Sequence, residues 1–167
     1  MPKIDIDALP DITGCGYPAP YDAPCLDRIR KRLGDGGGLT QFGVNLLTLL
    51  PGSWSAQRHW HVEEDEFVWV VCGEVVLVTD QGEQVLKSGD CAAFPKGELN
   101  GHHLVNKADG PAVVLEIGTR TPDDTDTCHY PDADLVWNGP QGTYTHLSGE
   151  PYPAKKYGGR RKSRRDG

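Results

Sequence analysis

The chain has 167 residues, 37% of them hydrophobic, with 24 acidic against 17 basic side chains and a formal net charge of −7. That length and composition predict one soluble domain with a core of its own, and no apolar stretch is long enough to read as a membrane-spanning helix. Cys15, Cys25, Cys72, Cys91 and Cys128 are odd in number and form no CxxC pair, which argues against a disulfide framework and a structural zinc knuckle and leaves reduced thiols, of which Cys72 and Cys91 in apolar strand-like segments are expected to be buried and to serve packing.

The opening Met1-Pro-Lys-Ile-Asp-Ile-Asp has neither the apolar centre of a secretory signal nor the basic amphipathic pattern of a transit peptide, so a cytoplasmic location is expected. Residues 1–24 hold five prolines among turn residues and read as an extended arm suited to wrapping a partner subunit. Leu26, Ile29 and Leu33 follow at helical spacing with Gly34 just beyond, which predicts one short helix within an N-terminal arm over 1–39.

After Gly36-Gly37-Gly38 the pattern turns to short strands, expected over 40–50, 66–72, 74–79, 83–87, 91–94, 102–106 and 112–118. Asp80-Gln81-Gly82 and Ser88-Gly89-Asp90 are turn signals, and closely spaced antiparallel strands of this kind imply an all-β sandwich or small barrel over 40–120. Residues 121–154 are expected as an extension packed on that barrel. Residues 155–167 carry seven basic side chains against Asp166, leaving 10 basic and 23 acidic residues in the body. With no aromatic interleaving and no helix-turn-helix pattern, this end reads as a solvated basic tail, and neither nucleic acid nor membrane is expected as a partner.

The chemistry concentrates in His59-Trp60-His61, Glu66 and His102. Histidines at i and i+2 of a strand project to one face, so one ion can bridge them. Three imidazoles and a carboxylate suit one divalent metal ion per chain, zinc or iron first, with manganese, cobalt or nickel as alternatives. His103 competes with His102 for the third imidazole position; the spacing to Asn106 and strand alternation favour His102. Alternation from His59 predicts Gln57 inward and Arg58 and Trp60 outward, toward the arm or a second subunit. Asn45, Trp69, Lys96, Asn100 and Glu116 are placed at the cavity or its rim, with Gln57, Asn45 and Asn100 as substrate contacts, and Glu63-Glu64-Asp65 reads as a solvated loop, with a mobile acid at the cavity mouth as the alternative role for one of the three.

Two motifs give these residues a wider context. Gly52, His59, His61, Glu66 and Gly73 form the first; Gly89, Pro95, Gly97, His102 and Asn106 form the second, with two extra residues between Gly97 and His102. Together they resemble the signature motifs of the cupin superfamily, which implies a double-stranded β-helix, or jelly roll, with a metal held by His59, His61, Glu66 and His102. Tyr17-Pro-Ala-Pro-Tyr, Gln57-Arg-His-Trp-His, Asn100-Gly-His-His-Leu and His129-Tyr-Pro-Asp-Ala-Asp-Leu are further similar to short bacterial single-domain cupins that carry a sugar-phosphate isomerase label. The same signatures resemble the cupin domain of hydrazine synthetases that form nitrogen-nitrogen bonds.

The resemblance implies a homodimer acting on a small molecule. Three functions follow: Lewis-acid chemistry of isomerase, lyase or rearrangement type, with Glu116 (or Glu66, if it is not a ligand) as base; a non-haem iron dioxygenase; or a non-catalytic binding module. Among these, a phosphorylated sugar wants inward cations, and the central region supplies only Arg58, Lys87, Lys96 and Lys107, which argues against it.

Overall fold

The computed structural model describes residues 3–155; apart from Lys155, the expected basic tail lies outside the described residues. The strands run β1 (Ile12–Thr13), β2 (Ile29–Arg32), β3 (Phe42–Leu49), β4 (Trp60–His61), β5 (Glu66–Cys72), β6 (Glu74–Thr79), β7 (Gly82–Lys87), β8 (Cys91–Phe94), β9 (His103–Val105), β10 (Ala112–Thr119), β11 (Thr127–His129), β12 (Val136–Asn138) and β13 (Thr143–Thr145), with one helical turn, α1 (Leu33–Gly36), after β2.

The strands build a six-stranded sheet in the order β1-β2-β3-β10-β5-β8, a three-stranded sheet β7-β6-β9 and a four-stranded sheet β13-β12-β11-β4. The isolated bridges Trp54–Val105 and His59–His102 join the two smaller ladders, so the second layer runs on past the edge of β9. All pairings are antiparallel, and the whole is a jelly roll.

Period-two alternation explains how the layers close. Leu47, Leu49, Val68, Val70, Ala112 and Val114 face inward from the large sheet onto Val75, Leu77, Leu86 and Leu104, each large side chain contributing about 1.5–3 kcal/mol on burial. The chain reverses between β5 and β6 at Gly73, where φ is +78° and a Cβ would stand 2.9 Å from the Pro111 carbonyl oxygen, a position only glycine tolerates.

The helix expected across Leu26, Ile29 and Leu33 does not form. Ile29–Arg32 is a strand paired with β1 and β3, and among the described residues the one turn of α-helix starts at Leu33, beside three 3-10 turns at Ala23–Cys25, Pro122–Asp124 and Gly139–Gln141. Arg28, Arg30 and Arg32 at every second position give the segment a strand period as well as a helical one, and the unpaired edge of β3 decides between them by offering backbone partners. The residues ahead of β2 pack on their own chain: Cys15, Tyr17 and Cys25 form a second buried cluster with Cys128, Tyr130 and Leu135.

Candidate metal centre

The bridge between His59 and His102 is a full backbone pair, His59 N–H to the His102 carbonyl at 3.1 Å and the reverse at 2.8 Å. It sets the two imidazoles side by side, ring centroids 4.7 Å apart. Glu66 arrives from the first residue of β5. Its Oε2 lies 3.3 Å from His59 Nε2, 3.5 Å from His61 Nε2 and 2.9 Å from His102 Nε2, so three imidazoles gather round one carboxylate oxygen; ligand atoms of His59, Glu66 and His102 lie within 4.8 Å of one another, and His61 groups with His59 and Cys128 and with Glu64 and Asp126. His103 turns the other way. Its Nδ1–H donates to the Ala56 carbonyl at 3.1 Å and its ring sits edge-on against Trp54.

Neighbouring acceptors select the tautomers. His59 Nδ1 faces the Gln57 carbonyl at 2.8 Å and His61 Nδ1 faces Asp126 Oδ2 at 2.6 Å, which places a proton on each Nδ1 and turns both Nε2 atoms toward Glu66. Burial works against a charge on His61, but Glu66 and Asp126 on either side outweigh it and lift the imidazole to about 9. Burial dominates at His102 and holds it near 4 despite the Glu66 hydrogen bond. Burial also works against the Glu66 carboxylate, and the three imidazoles reverse that to hold it well below its usual range. His102 is further fixed by parallel stacking on Phe94.

Asp126, Cys128 and Tyr130 join this site and were not singled out in the sequence. β11 pairs with β4 so that Cys128 stands opposite His61; residues at 126, 128 and 130 then share the face of His59 and His61. Tyr130 stacks on the His59 ring. The only signal for them in the sequence is a period of two, which becomes informative once the register is known.

Two cavities meet at the cluster. The larger, of about 610 Å³, is lined by all four expected ligands and by Arg28, Arg30, Arg32 and Arg120. The expectation of few inward cations is therefore corrected: they come from β2 and from the residue after β10, outside the stretch that the motifs mark. Arg30 grips Glu116 in a two-pronged pair at 2.9 and 3.0 Å, and Arg120 bonds the Leu39 carbonyl and Asp35. Asn45 lines this cavity beside Glu116. The smaller cavity, of about 260 Å³, is lined by His61, Glu66, Trp60 and Asn100 among others.

Some placements differ from the alternation argument. Gln57 donates its amide to the Tyr21 carbonyl at 2.7 Å and lines neither cavity, because regular strand begins only at Trp60 and alternation does not extend back to position 57. Trp60 stacks on His129 rather than on the N-terminal segment. Arg58 clamps Asp132 and Asp80. Glu63-Glu64-Asp65 is tied down at each residue: Thr125 Oγ1 donates to Glu63, Thr121 N–H and Oγ1 donate to Glu64, and Lys96 N–H donates to Asp65.

A family model described as Cupin domain matches residues 45–118. Similar solved structures include one from Silicibacter pomeroyi DSS-3 described as a sugar phosphate isomerase from the cupin superfamily, 47% identical, covering 94% of this chain and 100% of that one with a TM-score of 0.84. A protein from Acidithiobacillus ferrooxidans that carries the same isomerase name provisionally is 28% identical over 77% of this chain and 82% of that one, TM-score 0.66. A polyketide cyclase from Streptomyces resistomycificus, 19% identical over 71% of this chain and 79% of that one, shares the fold at a TM-score of 0.58. No curated protein matches the chain.

Proposed function

The chain belongs to the cupin superfamily, and on that premise we propose a metal-dependent isomerase acting on a small phosphorylated sugar. The observation that carries this reading is the convergence of three imidazole Nε2 atoms on one buried carboxylate oxygen inside a cavity that also presents four arginines. The donor set fits one divalent first-row ion. His59, His61, Glu66 and His102 would hold it, and Asp126 and the Gln57 carbonyl would fix the tautomers. When bound, the ion supplies Lewis acidity to a carbonyl or hydroxyl oxygen.

The chain's own groups account for the rest of the reaction. The guanidinium wall from β2 and Arg120 receives an anionic group, since arginine forks match phosphate oxygens. Aldose–ketose interconversion needs a proton moved between adjacent carbons. Glu116 has both oxygens engaged by Arg30, whereas Glu64 lines both cavities and its recorded hydrogen bonds all fall on one oxygen, Oε1. Glu64 is therefore the better placed base, and the Glu116–Arg30 pair is a fixed surface against which the substrate is oriented. The name of the Silicibacter pomeroyi protein, at 47% identity, supports the same substrate class.

We also propose that two copies associate through the outer face of the six-stranded sheet. Trp69 and Val71 stand about half exposed there, at 49% and 50%, and Trp69 lies in the cross-strand row of Leu46, Leu115 and Cys91.

The isomerase reading is tested by incubating the metal-loaded protein, without oxygen, with a panel of aldose and ketose phosphates and following interconversion by NMR. Turnover that vanishes in His61→Ala and whose KM rises in Arg32→Met is expected. Turnover only with iron and oxygen would favour a dioxygenase, and saturable binding without turnover a binding module; either contradicts the isomerase reading.

A further inference from the structure

We propose that Cys128 supplies a thiolate ligand to the metal centre from the β11 side, beside His59 and His61; this rests on the metal-binding reading above. Cys128 stands directly opposite His61 in the β4–β11 pair, so both side chains leave the ladder on the same face. Its sulfur lies within 4.8 Å of ligating nitrogens of both His59 and His61, a separation that one ion bonded to all three atoms spans. The residue is 2% exposed and lines the cavity that holds Glu66 and His102. Among the described residues it is the one cysteine grouped with histidines in this way: Cys15 and Cys25, which share the second buried cluster with it, belong to no such group, and Cys72 and Cys91 are exposed on β5 and β8.

Ligation exchanges the thiol proton for the ion: Cys–SH and M²⁺ give Cys–S–M⁺ and a proton released to buffer. A soft donor beside three imidazoles favours zinc, cobalt or ferrous iron over manganese.

Titration of the chelator-treated full chain with Co²⁺, followed by absorption, tests the assignment. The parent should develop a thiolate-to-cobalt charge-transfer band in the near ultraviolet together with visible ligand-field bands. Cys128→Ser and Cys128→Ala should lose the first and keep the second, and Cys25→Ser should keep both. Ligand-field bands without charge transfer in the parent, or a charge-transfer band that persists in Cys128→Ser, overturn the thiolate ligand while leaving the metal site standing. Failure of the folded parent to take up cobalt at all overturns both.

Discussion

Two of the rings at this centre, His59 and His61, are oriented by what holds their far side, and the buried His102 Nδ1 has no hydrogen-bond partner. Asp126 accepts from His61 Nδ1 at 2.6 Å and so decides which nitrogen faces the cluster. Asp126→Asn should weaken metal affinity about 10–100-fold, measured by competition with a chromophoric chelator, because second-sphere carboxylates contribute on that scale; an unchanged affinity would show the ring is fixed by packing alone. His103 has a different consequence. Burial holds it down at about 4, whereas an unfolded-chain histidine titrates near 6.5. Between those values the unfolded chain binds a proton that the folded chain refuses, so stability falls as pH drops from about 6.5 to about 4, by at most on the order of 3 kcal/mol. Urea denaturation across that window should show the slope in the parent and a flatter one in His103→Gln; equal slopes would contradict the assignment. The pairing of His59 and His61 on one face is legible in the sequence because i and i+2 spacing has one geometric meaning on a strand, whereas Glu66 and His102 enter through the motif resemblance. Asp126, Cys128 and Tyr130 have the same spacing, but their chemistry depends on which strand lies opposite, and that is a long-range fact.

Elements carry the next layer of control. The strands from β5 to β8 lie within a residue of the positions expected from alternation and turn residues, since each hairpin closes locally. The stretch Ile29–Arg32 was misread as helix because its apolar spacing fits two periods and only the edge of β3 selects one. That error also hid the arginine wall, since Arg28, Arg30 and Arg32 share a face only in a strand. Gly139 shows how an element remote in sequence reaches the site. Its amide donates to the Asp126 carbonyl at 3.0 Å, and a Cβ there would collide with the carbonyl oxygens of Asp124 and Asp126. Gly139→Ala should cost roughly 1–3 kcal/mol by overpacking and, by moving Asp126, loosen metal binding as well. Thermal unfolding with and without added metal reads both effects, and a variant as stable as the parent would place the strain elsewhere.

At the scale of the whole molecule, the jelly roll brings together parts of the chain that the motifs do not connect: β2, β4, β5, β10 and β11 all reach one cavity. The core of ten buried side chains between the sheets contains none of the four expected ligands, so removing a ligand should leave the fold standing. The half-exposed Trp69 row is the proposed surface for a second copy; sedimentation should give a dimer for the parent and a monomer for Trp69→Glu, and a monomeric parent would rule the interface out. The central claim, that His59, His61, Glu66 and His102 hold one divalent ion, is tested most directly by elemental analysis of the protein purified without chelator, beside His59→Ala prepared identically. The account predicts close to one equivalent of zinc or iron in the parent and its loss from a variant that remains folded; a parent free of metal, or a variant that retains it fully, would contradict the account.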